Sequence, residues 1–204
     1  MVGGQQYKMF FLKNFIEKIY YNKYSKKSYS ISIVDLIIDR LFMNINNGIY
    51  IDVGCNHPIK YNNTYILYKK GWRGINIDSD KDSIKLFNRY RKNDHNINAI
   101  VSNNEEVKEL YYYHNRSAIN TLSKDLVDSR STKPKKIIKE KSTTLNKIIE
   151  NSPFEKKKIN LLSIDIENHE YEALKEFNFS KYRIDVIIAE CIDLSQNDPT
   201  GIYI

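Results

Sequence analysis

A chain of 204 residues, 41% apolar and 28% charged, is long enough for one domain with a buried core. Seven Gly and four Pro exclude long flexible linkers, and no apolar run is long enough to cross a membrane. The net charge of +7 favours an anionic partner, but the basic residues are scattered. Their clusters at Lys133–Lys141 and Lys156–Lys158 read as solvated faces. Cys55 and Cys191 show no metal spacing and adjoin apolar runs, so both are expected as buried free thiols in a reducing cytoplasm. Lys13, Glu17 and Lys18 interrupt the apolar N-terminal stretch, which therefore does not read as a signal peptide.

Residues 9–21 place Leu12, Phe15, Ile16 and Ile19 on one helical face. A helix packed on the domain or closing over the site is preferred to one lying on a membrane surface. Residues 31–43 read as a second helix. Residues 1–47 thus form an N-terminal helical segment, and 48–204 the main domain. Gly48–Val53 is a buried strand entering a tight turn. Residues 62–70 suggest a helix stopped by Gly71. Arg73–Asp78 is a second strand, 80–92 a helix and Ile97–Val101 a third strand. Glu109–Tyr113 reads as an extra strand, its tyrosines packing across it. Asn115 to Lys141 is polar and irregular, as a substrate loop would be. Thr143–Glu150 suggests a short helix and Ile159–Ile166 a strand ending in acids. Residues 167–177 follow as a helix and Asp185–Glu190 as a further strand. Strands alternating with helices imply βαβ units, hence an α/β fold with a mainly parallel sheet.

Ligands of such sheets bind beyond the carboxyl ends of the strands. The first turn, Asp52-Val53-Gly54-Cys55-Asn56-His57-Pro58, offers a glycine for close backbone approach and two polar neighbours. Only the first glycine of a dinucleotide fingerprint is present, and there is no phosphate-binding P-loop. Asp78 ends the second strand 24 residues after Gly54, where a carboxylate can accept hydrogen bonds from both hydroxyls of a ribose. Asp80 and Asp82 are rivals, but Asp82 is expected in the first turn of the next helix. Asp165, Glu167, His169 and Glu170 crowd the end of the fourth strand. A carboxylate ending a buried strand needs a partner, so Asp165 and Glu167 are favoured as functional. The alternative is that Glu167 and Glu170 only stabilise a helix start. His169 and His57 are candidate bases. The carboxylates suit a divalent cation, but no spacing specifies one and none is expected.

The segments YIDVGCNHP (50–58), NNTYILYKKGWRGINID (62–78), SAINTLSKDL (117–126) and LLSIDIENHEYEAL (161–174) resemble the FkbM family of methyltransferases. The resemblance runs from about Ile49 to Glu190. It implies a Rossmann-like class I methyltransferase fold, S-adenosylmethionine as cofactor, and O-methylation, often of sugars or secondary metabolites. It also implies that Asp52, Gly54 and Asn56 border the methionine part of the cofactor. Asp78 would hold the ribose, and Ser102 would lie near the adenine. Asp165 and Glu167 would stand at the end of the fourth strand, beside the methyl group. Asn168 stands where the family commonly has glycine. Cys191–Ile204 is too short for two further strands, so the sheet is expected to lack its final antiparallel pair. A small-molecule or glycan acceptor is the leading expectation. An RNA-modifying enzyme, suggested by the charge, and a non-catalytic nucleoside-binding or partner-binding domain are the alternatives.

Overall fold

The computed structural model describes residues 25–192. The expected helix at 9–21 lies outside them, as do residues 193–204. The described elements are helices α1 (Val34–Leu41), α2 (Tyr65–Lys69), α3 (Lys81–Tyr90), α4 (Lys124–Ser129), α5 (Leu145–Glu150) and α6 (Glu170–Leu174). The strands are β1 (Ile49–Val53), β2 (Arg73–Asp78), β3 (His95–Asn98), β4 (Ile100–Val101), β5 (Val107–Tyr112), β6 (Lys136–Thr143), β7 (Ile159–Ile164) and β8 (Ile184–Ala189). No helix among the described residues is long and apolar enough to cross a membrane.

The central sheet runs β3-β2-β1-β7-β8 with every pairing parallel. Chain order leaves β1 through β2 to β3 on one side, then restarts at β7 on the other. The seam between β1 and β7 is thus the switch point, where crevices open at the strand ends. β7 is buried at all six positions, as expected of a central strand covered on both faces. Leu161, Leu162 and Ile164 are at most 1% exposed. Among the described residues no strand lies outside β8.

Elements mostly fall where periodicity places them, with shorter helices. α2 ends at Lys69 with Lys70 as its cap, and Gly71 follows with φ 96°, the left-handed stop that glycine allows. α3 is capped by Asp80, whose carboxylate accepts from the N–H of Asp82. The helix expected at 167–177 begins only at Glu170, because Glu167 and Asn168 have positive φ. The expected strand 97–101 divides: Ile97 pairs with β2, whereas Ile100 and Val101 pair with β6 in a second sheet ordered β4-β6-β5. The segment 115–141 is not an irregular loop: it contains α4 and most of β6. The paired residues of β6 are mainly polar and exposed, so no apolar alternation marks them. Cys55 is a buried free thiol, but Cys191, beyond the last strand, is exposed.

Behind the first turn lies a wholly buried guanidinium. Arg91 donates to Pro58 O at 2.9 Å, Thr64 Oγ1 at 2.7 Å and Asn62 Oδ1 at 2.5 Å. Thr64 Oγ1 and Asn62 Nδ2 in turn donate to Asp52 Oδ2 at 2.7 and 3.0 Å. The Arg91 guanidinium faces the rings of Phe87, Tyr65 and Tyr68. Burying a charge is tolerable only with such complete pairing. Arg91→Leu leaves Asp52 and Asn62 without their cationic partner. It is expected to cost about 3–5 kcal/mol, read as a lower urea midpoint.

Candidate active site

The carboxyl ends of β1, β2, β7 and β8 converge on a cavity of about 220 Å³. Gly54, Asn56, Asp78 and Ser79 form one wall, and Asp165, Glu167, His169 and Glu190 the other. Ser117–Leu122 roofs the space, apart from Ile119, with Ile31 and Tyr61 at its rim. No Lys or Arg is among these described lining residues.

Gly54 is where the walls touch. Its φ is 78°, and a Cβ there would lie 1.8 Å from the carbonyl oxygen of Asp165. Any side chain would drive β1 and β7 apart, so the position requires glycine on two grounds. Its N–H and that of Cys55 both donate to Ile77 O, tying the turn to β2. Asp78 Oδ2 accepts from Asn56 N–H at 2.8 Å, and its Oδ1 from Asp80 N–H at 2.7 Å. Burial pushes the Asp78 carboxyl up from 3.8 to about 6, against the pull of those two N–H groups. The rivals have other duties. Asp80 caps α3 and accepts from Arg116 N–H, and Asp82 pairs with Lys85. His57 also stays outside the lining, its Nδ1 accepting from Ile59 and Lys60 N–H.

On the second wall, burial and the charges of Glu190, Glu167 and Glu170 raise the Asp165 carboxyl well above its ordinary range. Asp165 is accessible from the cavity yet sits below the protein surface, so depth governs its field. A hydrogen bond with Glu190 adds to that rise. Glu170 Oε1 accepts from Ile166 N–H at 2.7 Å. The carboxylates of Asp165, Glu170 and Glu190 lie within 4.8 Å of one another. Glu190 Oε2 is buried without a hydrogen-bond partner, and no ion is assigned to the group. Glu167 is pushed up from 4.5 to about 7, by burial first, with Arg130 pulling down and Glu190 and Glu170 pushing up. His169 Nε2 lies 3.0 Å from Ser102 Oγ, and burial lowers its pKa, leaving a neutral imidazole at neutral pH.

The structure therefore brings Gly54, Asn56, Asp78, Asp165, Glu167 and His169 to one cavity. Asp52 stands behind it in the Arg91 network, and Ser102, with no exposed surface, backs His169. Sequence reasoning missed Glu190 as part of the cavity, whereas the roof falls within the stretch expected as a substrate loop. The strand-end rule that selected Asp78 points equally to Glu190. Asn168 has φ 68°, the conformation glycine favours and asparagine tolerates, so the turn after β7 keeps a shape suited to glycine.

Asp78 and Glu167 hold protons in the folded state that the unfolded chain sheds, from 3.8 to about 6 and from 4.5 to about 7. Stability therefore falls as pH rises through those windows. His57, His95 and His169, lowered from 6.5, act in the opposite sense. Comparison with Glu167→Gln isolates one group. From about pH 5 to about pH 7.5, wild type should lose thermal midpoint relative to this variant. An equal gap at both pH values would contradict the buried, proton-holding Glu167.

The methyltransferase FkbM domain matches residues 52–199, well over half of the chain and including every wall of the cavity. No curated protein and no solved structure matches it. A parallel sheet flanked by helices, a glycine-bearing turn after its first strand and this match give one conclusion: the chain belongs to the FkbM methyltransferase family.

Proposed function

We propose that the chain is an S-adenosylmethionine-dependent O-methyltransferase acting on a hydroxyl of a sugar or another small metabolite. The observation that carries this reading is the cavity at the switch point, with two acidic walls meeting at Gly54. When bound, S-adenosylmethionine supplies an activated methyl group on a sulfonium cation. Asp78 faces the ribose hydroxyls, and Gly54 and Asn56 border the methionine portion. Asp52 holds this turn from behind, and Ser102 orients His169 rather than touching a ligand. Four carboxyl groups and no Lys or Arg line the described walls, which favours a cation and disfavours a polyanionic acceptor. Three basic residues near the second sheet are paired instead: Lys139 of β6 with Glu109, Lys108 of β5 with Glu106, and Lys147 of α5 with Glu105. A neutral hydroxyl acceptor is therefore preferred to RNA. The free cysteines suit a reducing cytoplasm.

The acceptor hydroxyl lies against Asp165 and Glu167. Asp165, kept protonated, anchors it, and Glu167 takes its proton. His169, neutral and at the same wall, is the other group able to do so. The roof excludes water and holds the reactants in line.

Calorimetry with S-adenosylmethionine should show strong binding that Asp78→Ala largely removes. In single-turnover transfer of labelled methyl to a panel of carbohydrates and RNAs, a carbohydrate should accept. Asp165→Asn and Glu167→Gln should keep cofactor binding and lose transfer, Glu167→Gln by about a hundredfold to ten-thousandfold. His169→Ala separates base from bystander. Wild-type rates in both carboxamide variants would move the chemistry elsewhere, and cofactor binding without any turnover would favour a binding domain.

A further inference from the structure

Glu167 stands on a turn that its own residues do not favour. Glu167 and Asn168 have φ of 57° and 68°, a left-handed pair that side chains disfavour unless the surroundings hold it. Three side-chain contacts reach this turn from the roof and α4. Thr121 Oγ1 donates to Glu167 O at 2.6 Å, Asn168 Nδ2 donates to Ser123 Oγ at 3.3 Å, and Arg130 donates to Glu167 Oε2. The other arm of Arg130 donates to Ile119 O, in the middle of the roof, at 2.8 Å. Its guanidinium also lies 5.7 Å from the centre of the Tyr113 ring. The Arg130 and Glu167 side chains are only 19% and 14% exposed, so this is a sheltered pair, unlike the exposed lysine pairs of the second sheet.

We propose that Arg130 is a positioning residue of this site: one guanidinium fixes both the Glu167 carboxylate and the Ser117–Leu122 roof, so that acid and roof form a single unit. The catalytic consequence rests on the methyl-transfer reading above, whereas the latch itself does not.

The groups facing Glu167 divide by sign. Arg130, following α4, stabilises the carboxylate; Glu190 beyond β8 and Glu170 in α6 oppose it, as does burial, and Asp165 at the end of β7 faces it with its own carboxyl raised. Thr121, from the roof, engages only its backbone oxygen. The balance leaves Glu167 at about 7, where a group gains and loses protons at neutral pH. Without the guanidinium, two acids and burial remain, and Glu167 keeps its proton through neutrality. The same change frees the roof from its tie at Ile119. An arginine that served packing alone would leave the Glu167 titration where it is.

Protein labelled with carboxyl-¹³C glutamate reads this directly, with Glu167 assigned from the signal lost in Glu167→Gln. Arg130→Met is expected to raise the Glu167 midpoint by about one pH unit or more. Arg130→Lys, which keeps the charge without the planar fork, should return it part of the way. An unmoved midpoint in Arg130→Met of native circular dichroism overturns the proposal. Should that variant not fold, Arg130→Gln, which keeps a donor for Ile119 O without the charge, gives the same decision. S-adenosylmethionine affinity, measured in parallel, tests the methyl-transfer reading separately: wild-type protein without affinity defeats that reading, while the shift still decides the latch.

Discussion

A guanidinium with no exposed surface organises the half of the fold that carries the first turn. Arg91, at the end of α3, gathers Pro58, Asn62 and Thr64, and through the last two the Asp52 carboxylate in β1. Burial raises the Asp52 carboxyl, and the Arg91 charge is the largest influence opposing it. Neither group is stable in the interior alone. Their joint requirement pins the chain from Gly54 to Thr64 against β1 and α3, so the left-handed Gly54 meets Asp165 in one arrangement.

The opposite half is organised by repulsion. Asp165, Glu167 and Glu190 converge from the ends of two adjacent parallel strands. Asp165 and Glu167 relieve that repulsion by holding protons, and Glu167 by drawing in Arg130 from the connection between β5 and β6. The architecture makes this possible. β5 and β6 form an antiparallel pair beside the main sheet, and the chain between them folds back to bridge Tyr111 with Thr121. That fold-back sets the roof over the strand ends and delivers Arg130 to Glu167. The second sheet thus serves chiefly as a mount for the roof.

Legibility in the sequence followed the strength of the local signal. INLLSI and RGINID are apolar runs bounded by polar residues, and both are buried parallel strands. Asp78 was legible as a cavity residue because ligand crevices of parallel sheets open at the strand ends. Asp52 and Ser102 had the right types and neighbourhoods, yet their side chains are spent within the protein. β6 was illegible, because an exposed strand of alternating charges pairs through its backbone and leaves no apolar pattern. Arg130 was illegible for a related reason: a basic residue in a polar stretch looks solvated until its partner is known.

By itself the sequence determined the α/β class, the places of the main parallel strands along the chain, the glycine turn and the acids that end β2 and β7. Those properties depend on residues near one another in the chain, where burial period and turn chemistry act. Only the tertiary structure decided which acids share a cavity and which are spent on structure. It also decided that Glu190 joins Asp165, that the polar stretch becomes a roof, and that Arg130 sets Glu167. Each of these depends on burial and charge summed over groups far apart in sequence, and that sum exists only once the sheet has assembled.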